Sequence, residues 1–239
     1  MRLPSRLLFG LALAGASAAT LAADLNRLQN LGSQAAFRSL TEDLGAALSY
    51  KSISPATPLG ITGFDVGVDA SASRLDSSAY GTATGTTDKT LSLVRLRAQK
   101  GLPFGLDAGV SVGQAAGSDI RVWGGELRYA VAEGGLIAPA LAVRGSFSRM
   151  EGVSQLDFNT RALDVSISKG FLGVTPYGGV GYVWANGNPR GVAGLSSQNV
   201  GLAKGFVGVN FGLGLFATGV EYDSTGGVGT LSAKRAVRW

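Results

Sequence analysis

Phe104-Gly105-Leu106-Asp107-Ala108-Gly109-Val110-Ser111-Val112-Gly113 decides the fold. Side chains alternate across an extended chain, so Phe104, Leu106, Ala108, Val110 and Val112 fall on one face and Gly105, Asp107, Gly109, Ser111 and Gly113 on the other. One face is apolar and the other small or polar. The rule recurs on either side: Phe64, Val66, Val68 and Ala70 oppose Asp65 and Asp69, and Val174, Val180, Tyr182 and Trp184 oppose Thr175, Tyr177, Gly179 and Gly181. Glycine and polar punctuation marks off ten such segments, at 60–72, 88–99, 103–114, 119–132, 135–148, 157–168, 172–185, 199–210, 214–223 and 229–239.

A soluble sandwich alternates as well, so the connections must choose the solvent. Four links are short and bear glycine: Lys100-Gly101-Leu102, Glu133-Gly134, Lys169-Gly170-Phe171 and Phe211-Gly212-Leu213. The others are mostly longer and polar, as in Arg74 to Asp88, Met150 to Gln155 and Asn186 to Ser197, with Ala115 to Ser118 a short exception. This alternation predicts an all-β, antiparallel transmembrane barrel of ten strands, give or take two, with tight periplasmic turns and longer external loops. The apolar face then meets lipid. The lumen receives Asp65, Asp69, Asp107, Glu126, Asp164 and Glu221 against Arg95, Arg97, Arg128, Arg144, Lys204, Lys234 and Arg238. Opposite charges can pair across a narrow lumen, whereas a charge at mid-depth on the lipid face costs roughly 2–4 kcal/mol. Arg235 breaks the rule by sharing parity with Leu231, Ala233 and Val237; it is expected to snorkel at an interface, unless the register slips.

The first 59 residues read differently. Residues 1–23 have the form of a secretory signal, with Arg2 and Arg6, an apolar stretch from Leu7 to Ala14, and Thr20-Leu21-Ala22 as a small-x-small cleavage site. Residues 24–59 form an N-terminal segment and linker in which Leu25, Leu28 and Leu31, then Phe37, Leu40, Leu44 and Leu48, recur at helical spacing. Two short amphipathic helices broken near Gly32 are expected, with Arg38 and Glu42 able to pair four apart, and Pro55, Pro58 and Gly60 ending them. A ten-strand lumen is narrow and already crowded with charge. The segment is therefore expected to cap the periplasmic mouth rather than plug the barrel, and the barrel itself to occupy 60–239.

Composition narrows function by exclusion. The chain has no cysteine and no histidine, which removes disulfides, lipid anchoring through cysteine, zinc-type clusters and imidazole bases. Gly109-Val110-Ser111-Val112-Gly113 matches a hydrolase G-x-S-x-G pattern, but it lies inside an alternating strand and no histidine exists to serve it. Asp65 and Asp69 share a lumenal face and could bind a cation or act as acid and base; pairing with the lumenal arginines is the simpler role. No cofactor, metal or nucleic acid is expected. The formal charge of +5 falls to about +3 once Arg2 and Arg6 are removed, too little and too scattered for nucleic acid. Trp123, Tyr129, Phe147, Tyr182, Trp184, Phe216, Tyr222 and Trp239 fall near strand ends on the outward parity, as an interfacial girdle would.

The chain closes on Val237-Arg238-Trp239, which resembles the C-terminal signal that outer-membrane barrels present to their assembly machinery. With the leader and the chain-long dyad repeat, the sequence looks like a small bacterial outer-membrane β-barrel protein. The resemblance implies outer-membrane lipid and the barrel-assembly machinery as partners, Val237 and Trp239 as the assembly signal, and both termini in the periplasm. It implies no substrate and no oligomeric state. The balanced inward charge leads to the expectation of a non-enzymatic, narrow pore or binding barrel for a small solute or lipid-like molecule. The alternative, suggested by the Ser, Thr and Gly of the first long loop, is a structural or surface-interaction barrel.

Overall fold

A computed structural model describes residues 25–239; the expected leader, 1–23, lies outside the described residues. The strands are β1 Phe64–Arg74, β2 Thr90–Gly101, β3 Leu106–Ala115, β4 Arg121–Ala132, β5 Ala140–Glu151, β6 Leu156–Ser168, β7 Val174–Pro189, β8 Gln198–Leu213, β9 Phe216–Thr225 and β10 Val228–Arg238. Each pairs antiparallel with its neighbours in sequence, and β1 pairs with β10. The sheet is a closed ten-stranded barrel, and closure leaves no unpaired edge. At the seam the Phe64 amide donates to the Trp239 carbonyl at 2.8 Å and the Trp239 amide to the Phe64 carbonyl at 3.1 Å. Their rings stack with centroids 5.1 Å apart.

The alternation turns the barrel inside out relative to a soluble one. Val66, Val68, Leu96, Val110, Val112, Leu163, Val165, Val180 and Val207 are exposed on its outside, while their inward neighbours are small or charged. The eight aromatic residues from Trp123 to Trp239 assigned above to a girdle are also exposed, except that the described surface spreads them over both rims. Arg235 faces outward too, so the register does not slip. It lies near the short-turn end with its guanidinium 5.8 Å from the centre of the Phe216 ring, where an interface would let it snorkel.

Two turns depart from expectation. Phe104 is not on β3; it sits in a turn, Pro103–Gly105, at φ 65°, because Pro103 lacks an amide for the ladder and Gly105 also adopts positive φ. The link after β4 is long, residues 133–139, and β5 starts only at Ala140, since Gly134 turns the chain at φ 79° and Pro139 cannot pair. Lys169 pins this loop by donating to the carbonyls of Gly135 and Leu136 at 2.6 and 2.7 Å. Conversely, β9 and β10 are joined only by Gly226-Gly227, both at positive φ, the geometry of a tight hairpin. Loop length therefore alternates less strictly than the sequence suggested.

Ahead of the barrel, a 3-10 turn at Leu28–Leu31 ends at Gly32 and helix α1 runs Gln34–Leu48. The Ser33 hydroxyl caps α1 by accepting from the Ala36 amide at 3.1 Å, and Arg38 pairs with Glu42 at 3.0 Å on its exposed side. A second short helix, α2 Ala79–Thr84, lies in the loop between β1 and β2. Among the described residues no helix is long and apolar enough to cross a membrane.

Candidate functional site

The inside of the barrel is layered. Toward the long-loop end most inward positions of β2 and β4 to β8 are apolar: Leu91, Leu93, Val122, Met150, Phe158, Val183 and Leu202 are buried there. Below them, on the same parity of the same strands, come charges. Leu91 and Leu93 give way to Arg95 and Arg97 along β2, and Phe158 gives way to Asp164 along β6. The apolar collar receives the apolar side of α1, whose Phe37, Leu40 and Leu44 are wholly buried in the same cluster as Leu75, Tyr80 and Leu156. Close approach there needs a glycine. A Cβ on Gly45 of α1 would lie 2.8 Å from that of Ala185 on β7.

The charged layer is paired almost throughout. Asp65 holds Lys234 at 3.1 Å and Arg238 at 2.5 Å. Asp69 holds Arg95 and Arg97, each at 3.1 Å, so the two aspartates are separately neutralised and do not face one another as an acid–base pair. Asp107 binds Arg128 at 2.7 Å. Arg144 bridges Asp164 at 2.6 Å and Glu126 at 3.7 Å, and Lys204 reaches Asp164 at 3.5 Å. Glu221 is buried without an ion pair among the described residues. Arg238 stands at the lower mouth with its side chain 27% exposed, and the other charges are buried.

The N-terminal segment does not cap the periplasmic mouth. It enters from the long-loop end as α1 and passes down the whole lumen as residues 49–59. Near the top, Ser148 donates to the Leu48 carbonyl at 2.7 Å. At mid-depth Lys51 donates to Asp223 at 2.8 Å, both side chains fully buried, and Arg97 donates to the carbonyls of Lys51 and Ser52. Ser52 donates to Glu126 at 3.2 Å. Lower down, Arg128 donates to the Pro55 carbonyl and to the Ser54 hydroxyl, the latter at 3.3 Å. At the short-turn mouth the Ala56 amide donates to Ser168 at 3.0 Å and the Leu59 amide to Asp107 at 3.0 Å. A cap is the expectation where a helix would compete with the lumenal charges. Here the part at charge level is neither helix nor strand, so the same arginines that neutralise the carboxylates also satisfy its backbone carbonyls.

Lys51 and Asp223 belong to the lumenal charge set although neither was assigned to it: Asp223 shares parity with Glu221 and was legible, whereas Lys51 lies in a segment without period two. The segment's start also lies at the long-loop mouth, not with β1 at the other end. There the Arg27 amide donates to the Ala83 carbonyl of α2 at 3.0 Å, and Gln34 and Ser196 exchange hydrogen bonds at 2.8 and 2.9 Å. Asp43 of α1 accepts from the Asp76 and Ser77 amides at 3.1 and 3.3 Å and from the Ser77 hydroxyl, tying the helix to the first long loop. Burial raises the Asp43 carboxyl above its ordinary value, and those hydrogen bonds offset part of the rise.

A closed barrel, apolar outside, charged inside and filled by its own N-terminal segment, is the class that fold and site define. The sequence matches no family model and no curated protein. Among solved structures it is similar to the N-terminal β-barrel domain of Pseudomonas aeruginosa OprF, at 13% identity and a TM-score of 0.41 over 75% of this chain and 99% of that one. It is also similar to the translocator domain of the autotransporter NalP from Neisseria meningitidis, at 10% identity and a TM-score of 0.39 over 86% and 96%, and to the KdgM porin, at 10% identity and 0.38 over 72% and 98%.

Proposed function

We propose that this chain is an outer-membrane barrel whose lumen is shut at rest by residues 49–59, and that it works as a structural or surface-interaction barrel presenting α2, the long loops and the exposed first turns of α1 outside. The observation that carries this reading is the continuous passage of that segment from one mouth to the other, hydrogen-bonded at every level. The membrane part rests on the outward apolar belt, since a soluble monomer rarely exposes contiguous apolar surface beyond a few hundred Å². By the usual order of tight periplasmic turns and longer external loops, the long-loop mouth faces out. Outer-membrane lipid then surrounds the belt, and Val237 and Trp239, both outward-facing on the seam strand, serve the barrel-assembly machinery during insertion.

Passage or binding of a small solute is the second reading. Its support is a polar group in the lumen, where the Asn210 amide nitrogen is buried without a hydrogen-bond partner among the described residues and the Tyr177 hydroxyl stands beside the buried Glu221 carboxyl, as polar atoms open to water or solute would be. Planar-bilayer recording separates the two. The intact chain is expected to show no steady conductance, and a chain lacking residues 25–59 to conduct. Should the deletion fail to insert, Arg97→Gln with Arg128→Gln, which frees the carbonyls of residues 51–57 while leaving the segment in place, is expected to give intermittent openings. Steady conductance by the intact chain would overturn the shut-lumen reading in favour of passage.

A further inference from the structure

The outer surface of β4 to β8 is not apolar over its full height. The strand register sets Trp123, Arg149, Asn159, Asn186 and Asn199 side by side in one outward row. The next row toward the short turns holds Phe147, Arg161 and Trp184. Below that the face is apolar, with Leu163, Val165 and Ile167 exposed along β6. Eight residues take β6 and its turn from Arg161 to Lys169, about 26 Å along a strand and about 20 Å along the normal at ordinary tilt. The exposed turn tip at Leu172 extends the belt a little further. That is close to the roughly 25 Å of an outer-membrane apolar band, so the two arginines stand at its upper rim.

Neither guanidinium is neutralised. Arg149 and Arg161 are exposed, and no carboxylate lies within ion-pair distance of them among the described residues. The carboxylates of the row above have other partners: Glu151 accepts from the indole of Trp123, the residue opposite Arg149, at 2.9 Å, and Asp157 binds Arg190 at 2.5 Å. The asparagines are joined to one another, Asn186 donating to Asn199 at 2.6 Å. Two shallow depressions of about 950 and 540 Å³ meet at Asn159 and Arg161, the first floored by Gly125 and Gly145 and the second by Gly201.

We propose that Arg149 and Arg161 seat the phosphate of a membrane lipid from the leaflet on the long-loop side. Diagonal neighbours on adjacent strands stand about 7–8 Å apart, and two guanidinium forks converging from that distance match the oxygens of one phosphate group. The occupant must be a lipid because the same depressions open onto the apolar strip below, which gives a free anion nothing and acyl chains a continuous surface. This rests on the outer-membrane reading above.

The test uses the full chain in nanodiscs of phosphatidylcholine with graded phosphatidic acid, reading retained lipid by native mass spectrometry. Selective retention of phosphatidic acid is expected, about tenfold weaker in Arg149→Gln with Arg161→Gln and unchanged in Arg235→Gln, which alters the opposite rim. Inorganic phosphate at equal concentration is expected not to compete. Equal retention by the double variant, an equal loss in Arg235→Gln, or competition by inorganic phosphate would each overturn the lipid seat. Failure of the wild-type chain to enter phosphatidylcholine discs would instead overturn the membrane reading, since that step involves no phosphatidic acid.

Discussion

Lys51 carries its charge into the centre of the lumen, and Asp223 is its counter-ion. Removing one member of a buried pair leaves the other uncompensated, at a cost of about 3–5 kcal/mol, whereas replacing both with apolar groups is often close to neutral. Lys51→Met and Asp223→Asn are therefore each expected to lower the urea midpoint in detergent, and Lys51→Met with Asp223→Leu to recover most of the loss; a loss in the double variant equal to the sum of the two single losses would show that the pair is not coupled. The fit of the segment is also local. A Cβ on Gly219 would lie 3.2 Å from Ile53 Cγ2, so Gly219→Leu is expected to crowd Ile53 at about 1–3 kcal/mol and to raise conductance in bilayer recordings. Parity alone placed Asp65, Asp107, Arg128 and their partners on the inward side of their strands. It said nothing of Lys51, because an irregular chain inside a lumen is held through its carbonyls and has no side-chain period to read.

At the scale of elements, α1 shows what a one-dimensional pattern conveys and what it omits. Phe37, Leu40, Leu44 and Leu48 announce a helix with one apolar side, but not what that side meets. Its partner is the apolar collar of Leu91, Leu93, Phe158 and Val183, residues on the parity otherwise used by charges. The switch from leucine to arginine along the inward face of β2 was visible in the sequence and is the trace of a helix seated in the mouth. The tie between α1 and the first long loop should depend on pH. A carboxyl raised in the folded state, as Asp43 is, contributes stability that is complete below the unfolded value of 3.8 and is lost as pH rises through the raised one. The difference in urea midpoint between wild type and Asp43→Asn is accordingly expected to favour the wild type most in acid and to shrink toward neutral pH; a pH-independent difference would contradict this.

For the whole molecule the testable quantity is sidedness. The chain has no native cysteine, so single cysteines report cleanly. Asn26→Cys and Thr82→Cys, both at the long-loop mouth, are expected to react with an impermeant maleimide on intact cells, and Leu172→Cys at the opposite mouth only after permeabilisation. Labelling of Leu172→Cys together with Asn26→Cys on intact cells would refute the threading. A closed hydrogen-bonded barrel should also migrate faster on a gel unboiled than boiled, and identical mobility would count against it. The inward charges carried by the strands, the outward belt and, to within two, the strand number were legible in the sequence, because side-chain alternation is a local property of extended backbone. Where residues 25–59 lie, which carbonyls the lumenal arginines reach, and that Arg149 and Arg161 share one outer rim were decided only by the tertiary structure. These depend on register between strands distant in sequence and on which surface offers a buried backbone its hydrogen-bond partners, and no local pattern encodes either.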